Sequence, residues 1–212
     1  MVDALGIYEE VGIEVDDLAS LRAGMAAIFA KHGPRAIAVK SQHAYERTLL
    51  WRERDDADVA RALDKQLAGQ ELDEDEQMCL GDWCLARGVE LAAEHNLPFK
   101  IHTGYYAGHS RMPIERIRPG HLAALLARYP QTRFVLMHIA YPYSDELIAL
   151  AKHFGNVYVD LCWAWALNPF ATKDFVRRFL HAVPLNRLFA FGDDTTTPSM
   201  AAAAKRRSSS GP

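Results

Sequence analysis

Apolar and polar positions along the chain fall into a repeating rhythm. Four short apolar runs stand out: Phe99–His102 (FKIH), Phe134–His138 (FVLMH), Val157–Leu161 (VYVDL) and Leu188–Gly192 (LFAFG). Between them lie Gly120–Tyr129, Ser144–Phe154 and Thr172–Ala182, where apolar residues recur every three or four positions. Short apolar runs bounded by turn formers predict buried strands, and the periodic segments predict amphipathic helices. Such alternation predicts parallel βαβ units with right-handed crossovers. Upstream, a helix is expected over about Asp16–His32, stopping at Gly33-Pro34, with a further strand at Ala36–Lys40 (AIAVK). A long polar and charged stretch follows. Its acidic run Glu71–Gln77 (ELDEDEQ) leads into the helical MCLGDWCLARGVELAAEHN, where carboxylates favour the positive end of the helix dipole. No Gly-x-Gly-x-x-Gly follows any of these strands, so a dinucleotide fold has no support.

Composition narrows the classes. A chain of 212 residues, half of them hydrophobic, can bury one good core, and one domain is expected over 1–198. The run from Ser199 (SMAAAAKRRSSSGP) has no periodic apolar face, so 199–212 is expected to be a disordered tail. A net charge of -3 gives no electrostatic reason to expect nucleic acid or an anionic membrane as partner. No apolar run approaches the ~20 residues that span a bilayer. The opening MVDALGIYEEVG lacks the basic and apolar regions of a signal peptide. Cys79 and Cys84 sit five apart and Cys162 is distant, a pattern of thiol usage that fits a reducing cytoplasm.

Chemistry is concentrated where the strands end. Strands close on His102, on His138 and, after Gly192, on Asp193-Asp194, while another ends near Asp160. Each is followed by turn-forming or aromatic residues: HTGYY, HIAYPY, DLCWAW and DDTTTP. In a parallel α/β architecture the carboxyl ends of the strands share one face. Side chains 36 and 56 residues apart therefore converge there. Imidazole and carboxylate on such a rim suit Zn²⁺ or a similar divalent ion with one position open for water.

The span from IHTGYYAGHSRMPIERIRPG through LMHIAYPYSDEL to LFAFGDD resembles the amidohydrolase superfamily, in its amidohydrolase-related branch of metal-dependent hydrolases and decarboxylases. The resemblance covers about Ala36 to Asp194. It implies a (β/α)₈ TIM barrel, of which this α/β chain would form a part of about five parallel strands with flanking helices. It also implies metal-ligand roles for His102 after the fifth barrel strand, His138 after the sixth, and Asp194 in the motif after the eighth, with Asp193 in the variable place. Asp194 and His138 would be catalytic, Asp194 accepting a proton from the attacking water and His138 polarising the substrate carbonyl. Lys40, ending the fourth strand, would face substrate. Tyr105 and Trp163, with Tyr106, Tyr141, Tyr143 and Trp165, could wall a pocket for a small flat or apolar molecule. Arg111, Arg116 and Arg118 could meet a substrate carboxylate, although a solvated loop explains them better.

The departures from the family pattern bear on activity. Nine histidines occur, and no two are separated by a single residue, so the His-x-His pair of the first strand is absent. Five strands are counted where a full barrel needs eight. The chain is therefore expected to be truncated at both ends, with self-association or aggregation to cover its open edges and with impaired activity. Three readings follow: a Zn-type hydrolase of C–N or C–O bonds, a nonoxidative decarboxylase on the same site, or a non-catalytic fragment.

Overall fold

The structure is a computed structural model that describes residues 2–108 and 113–192. Asp193, Asp194, Arg111 and the 199–212 tail lie outside the described residues. The chain divides into two compact units, Met1–Val39 with Trp51–Pro98, and Lys40–Leu50 with Phe99–Pro212.

The first unit is helical, built from α1 (Ala4–Val11), α2 (Leu18–His32), α3 (Asp56–Leu67) and α4 (Glu74–Glu94). Each helix begins on an aspartate that accepts a backbone N–H of its first turn: Asp3, Asp17, Asp55 and Asp73. Asp17 with Ser20 and Asp73 with Glu76 complete reciprocal capping boxes. The acidic run before α4 is thus a helix start, as its charge pattern predicts. Ile7, Leu21, Val59, Leu63, Leu80 and Trp83 form the core of this unit. Gly24 admits α1, since a Cβ there would stand 2.5 Å from Ile7 Cγ2. The buried carboxylate of Asp82 accepts from Arg54 Nε at 2.9 Å, which answers its burial. Helices α1 and α3 go beyond the sequence expectation. In α3 only Val59, Ala62 and Leu63 are buried, too narrow a stripe to show through its charged surroundings.

The second unit holds a five-stranded sheet in the order β1 (Val39–Ser41), β2 (Phe99–Ile101), β3 (Phe134–Met137), β4 (Val157–Asp160) and β5 (Leu188–Phe189). The pairs from β2 to β5 are parallel. Every strand lies beside its successor, with no reversal of order, which is the winding of a (β/α) barrel wall and not of a doubly wound sheet. Helices α5 (Ala123–Arg128), α6 (Ser144–His153), α7 (Ala164–Leu167) and α8 (Pro169–Ala182) connect the later strands. The expected helix at Gly120–Tyr129 opens as a 3₁₀ turn over Pro119–Leu122, and α8 begins three residues early because Asn168 caps it and Pro169 takes its first position. Strand β1 also starts late. A 3₁₀ turn over Gly33–Arg35 prolongs α2, and the Ala36 N–H still donates back to His32 and Gly33, so Ile37 is left exposed.

The pleat separates two faces. Phe99 and Ile101 align with Phe134 and Leu136 and then with Val157 and Val159, all buried. Each such side chain contributes about 1.5–3 kcal/mol on burial. Lys100, Val135, Met137, Tyr158 and Asp160 occupy the other face, so a charge pair of half-buried Lys100 and buried Asp160 sits beside apolar Val135 and Met137.

Candidate active site at the strand exits

His102 and His138 each stand one residue beyond the end of a strand, and both side chains are fully buried. His138 Nε2 lies 3.0 Å from His102 Nδ1. The outer nitrogens are anchored on backbone: His102 Nε2 lies 2.8 Å from the Tyr105 carbonyl oxygen, and His138 Nδ1 lies 2.8 Å from that of Cys162. A carbonyl oxygen only accepts, so both outer nitrogens carry hydrogen. A neutral imidazole has one N–H, and here each is spent outward. The inner nitrogens then turn lone pairs toward each other, an arrangement that a cation between or beside them stabilises, whether a proton or a metal ion. Imidazoles that ligate metals are oriented in this way, with the other N–H on a carbonyl or carboxylate. Two nitrogens about 2.0–2.1 Å from one tetrahedral Zn²⁺ would stand roughly 3.3–3.4 Å apart, so the 3.0 Å pair needs to open by only a few tenths of an ångström to share one ion.

The local sequence HTG after β2 explains how the pair is assembled. His102 supplies a ring, and the Thr103 hydroxyl donates to the Met137 carbonyl at the end of β3. Gly104 lets the two exit loops touch: its φ is +63°, and a Cβ there would lie 2.5 Å from Tyr141 N and 2.7 Å from Ala140 C. Across the contact His138, Ile139 and Ala140 all have positive φ, at 60°, 50° and 47°. For a β-branched residue such as Ile139 this is a strained conformation, costing of order 1–3 kcal/mol and persisting only where surroundings enforce it. They do so through the Ser144 hydroxyl, which donates to Ile139 O at 2.9 Å, and the Tyr143 N–H, which donates to Ala140 O at 2.7 Å.

Aromatic rings enclose the pair. Trp163, also at positive φ, stacks on His138 with centroids 4.6 Å apart, and its edge faces His102. Tyr45 and Tyr106 lie 4.7 and 6.2 Å from the His102 ring. Tyr105 stacks on Tyr141 at 4.8 Å, and burial pushes its phenol up to about 12, with Tyr141 adding to the effect. Trp165 is engaged with the Ala190 carbonyl, and Tyr143 lies under Arg118. Arg118 pairs with Glu146, and Arg116 donates to the Glu46 carbonyl. Lys40, expected to end its strand, is instead the middle residue of β1, which runs on to Ser41, and its Nζ is shielded from solvent.

Among the described residues no group of three or more His, Cys, Asp or Glu is placed to hold a metal ion. His102 and His138 are two fitting ligands, and Asp194 lies outside the described residues. Asp160 is committed elsewhere: one oxygen meets Lys100 Nζ at 2.7 Å and the other accepts from Cys162 N–H at 2.9 Å. Sequence reasoning passed over Lys100, Tyr45 and His43. Lys100 could have been found from KIH, since alternate residues of a strand share a face. Burial, with the Arg47 charge and the His102 ring nearby, lowers His43 to about 3, so it is a neutral imidazole, with Nδ1 2.7 Å from Ser41 Oγ.

Comparison with known proteins agrees with the fold. The Amidohydro_2 (Amidohydrolase) family model matches residues 25–192. Protein fluG of Emericella nidulans is 30% identical over 168 residues, covering 73% of this chain and 19% of that protein. A crystal structure assigned as a metal-dependent hydrolase from Lactobacillus casei superposes with a TM-score of 0.76 at 22% identity, over 96% of this chain and 54% of that one. Glucuronate isomerase from Caulobacter crescentus gives 0.73 at 16% identity, over 95% and 45%. The chain thus spans about half the length of these solved structures and a fifth of the curated relative. Among the described residues no helix is long and apolar enough to cross a membrane.

Proposed function

Because this chain belongs to the amidohydrolase family, whose members are metal-dependent enzymes acting on small molecules, we propose that His102, His138 and Asp194 hold one divalent ion, Zn²⁺ by preference, for hydrolysis of a C–N or C–O bond. The observation that carries the reading is the buried imidazole pair with both outer N–H groups spent on carbonyls. A divalent ion in such a site supplies Lewis acidity and lowers the pKa of water toward ~7. The protein's part is orientation and proton handling. The Tyr105 and Cys162 carbonyls fix each histidine in the tautomer that presents a lone pair inward. In that state His138 Nε2 is a ligand or a proton acceptor, and not a donor. Proton transfer from water to the leaving group therefore falls to a carboxylate, the role proposed for Asp194. Trp163 covers one face of His138 and lowers the polarity around it, which strengthens the electrostatics of the site. With Tyr105, and with Lys40 for an anionic group, it would form the substrate wall. The chain's part in a longer assembly, and self-association through its open sheet, belong to the same proposal.

The test is a zinc titration of the purified chain and of His102→Ala and His138→Ala, with turnover measured on amides, lactones and aromatic acids. Loss of one of the three protein ligands should remove stoichiometric zinc from either variant. Undiminished binding in both would refute the site, and CO₂ released from an aromatic acid would assign the decarboxylase chemistry instead.

A further inference from the structure

The Lys100–Asp160 pair has no place in the mechanism above, yet it joins a half-buried lysine to a buried carboxylate on the sheet face that leads to the histidines. Asp160 is 3% exposed and occupies the last rung of β4, opposite Met137, the residue before His138. Its two oxygens are used separately. Oδ2 takes Lys100 Nζ at 2.7 Å, and Oδ1 takes the Cys162 N–H at 2.9 Å. The Cys162 carbonyl in turn receives His138 Nδ1–H at 2.8 Å. Gly192 closes the remaining side, where a Cβ would stand 2.2 Å from Asp160 Oδ1. A buried ion pair is a poor source of stability, because desolvation offsets its attraction. Fixing one geometry is what such a pair does well when its hydrogen bonds are complete.

We infer that Asp160, held by Lys100, is a positioning residue: it anchors the N–H of Cys162, the residue whose carbonyl, one peptide further on, sets the tautomer and angle of His138. The inference rests on the proposed site but concerns residues that do not touch the ion. A carboxylate accepting from the Cys162 N–H fixes the Leu161–Cys162 peptide just past β4, and so where Cys162 starts its turn. The Cys162 carbonyl, which also takes the Ala164 N–H at 2.8 Å, must point back at His138 for Nδ1 to be the protonated nitrogen. Without the anchor, His138 is able to carry its hydrogen on Nε2, and its inward lone pair is lost.

The experiment compares two double variants that both delete the charges. K100M/D160A removes the side-chain oxygen that accepts the Cys162 N–H, while K100M/D160N keeps an amide oxygen there. In ¹⁵N NMR of the metal-free protein, wild type and K100M/D160N should show His138 protonated at Nδ1. K100M/D160A should show a mixture of tautomers. Zinc affinity should fall about 10–100-fold in K100M/D160A, the usual consequence of removing such outer contacts, and stay within about threefold in K100M/D160N. If K100M/D160A fails to fold, D160E takes its place, keeping the charge pair while displacing the oxygen from the Cys162 N–H, with the same mixed tautomers expected. Equal behaviour of the two acceptor states, whether both retain or both lose the Nδ1–H form, overturns the inference. A wild-type chain that binds no zinc would remove the proposed function, while the tautomer comparison would still decide this one.

Discussion

Gly104→Ala should be the most damaging single-methyl change in the sheet unit, and its cost can be built from two parts. Gly104 has φ +63°, where an L-residue pays roughly 1–2 kcal/mol against its Cβ. The added carbon would also lie 2.5 Å from Tyr141 N, 2.7 Å from Ala140 C and 2.8 Å from Ala140 Cα. All three are backbone atoms, so no side chain can swing aside, and overpacking of this kind costs about 1–3 kcal/mol. The expected total is about 2–5 kcal/mol.

Relief must come from parting the two exit loops, which carry His102 on one side and His138 on the other. Metal affinity should therefore fall by more than the stability loss alone explains, since the 3.0 Å spacing of the ring nitrogens widens. Gly108→Ala is the control within the same unit: its φ is +103°, but nothing lies within 4 Å of the added carbon. Urea unfolding of both variants, followed by zinc titration under conditions where both are folded, separates the parts. A Gly104→Ala variant no less stable than Gly108→Ala and equal to wild type in zinc affinity would refute the claim that this contact sets the histidine spacing.

Two further outcomes follow from the same residues. Desolvation pushes the Cys84 thiol up to about 11, and Cys79 upward as well, so at pH 8 about one Cys84 in a thousand is thiolate. Alkylation of Cys84 followed by mass spectrometry should then be slow in the folded chain and rise steeply in urea; rapid labelling of the folded protein at pH 8 would contradict that burial. Asp194→Asn should reduce turnover by about 10²-fold or more, as for removal of a general base, while Asp193→Asn is milder. Equal losses would place the functional carboxylate one residue earlier.

Reading the sequence located the parts of this site but not the bonds that tune them. FKIH and FVLMH end on histidine at the same topological level, and parallel strands bring such ends together, so the proximity of His102 and His138 was legible. The strands themselves were legible for the same reason: each is a short apolar run between turn residues. Helix α3 was not, because three buried positions among twelve leave no stripe that stands out from its charges. Nor was the late start of β1, which depends on where a helix end stops donating backward. Most of what the sequence hid is backbone. The Tyr105 and Cys162 carbonyls decide which nitrogen of each ring carries hydrogen, yet any residue type can present a carbonyl. Gly104 and Gly192 matter for the atoms a Cβ would strike, which only the folded chain brings near. Lys100 and Asp160 lie 60 residues apart and meet because their strands flank β3 in one sheet. The identity of a metal-competent side chain is thus written locally, while the tautomer of His138 is set by a carbonyl 24 residues further along the chain. Substitutions at Lys100 or Asp160 should accordingly alter His138 without touching it, which is why their effect has to be read from the imidazole and not from stability alone.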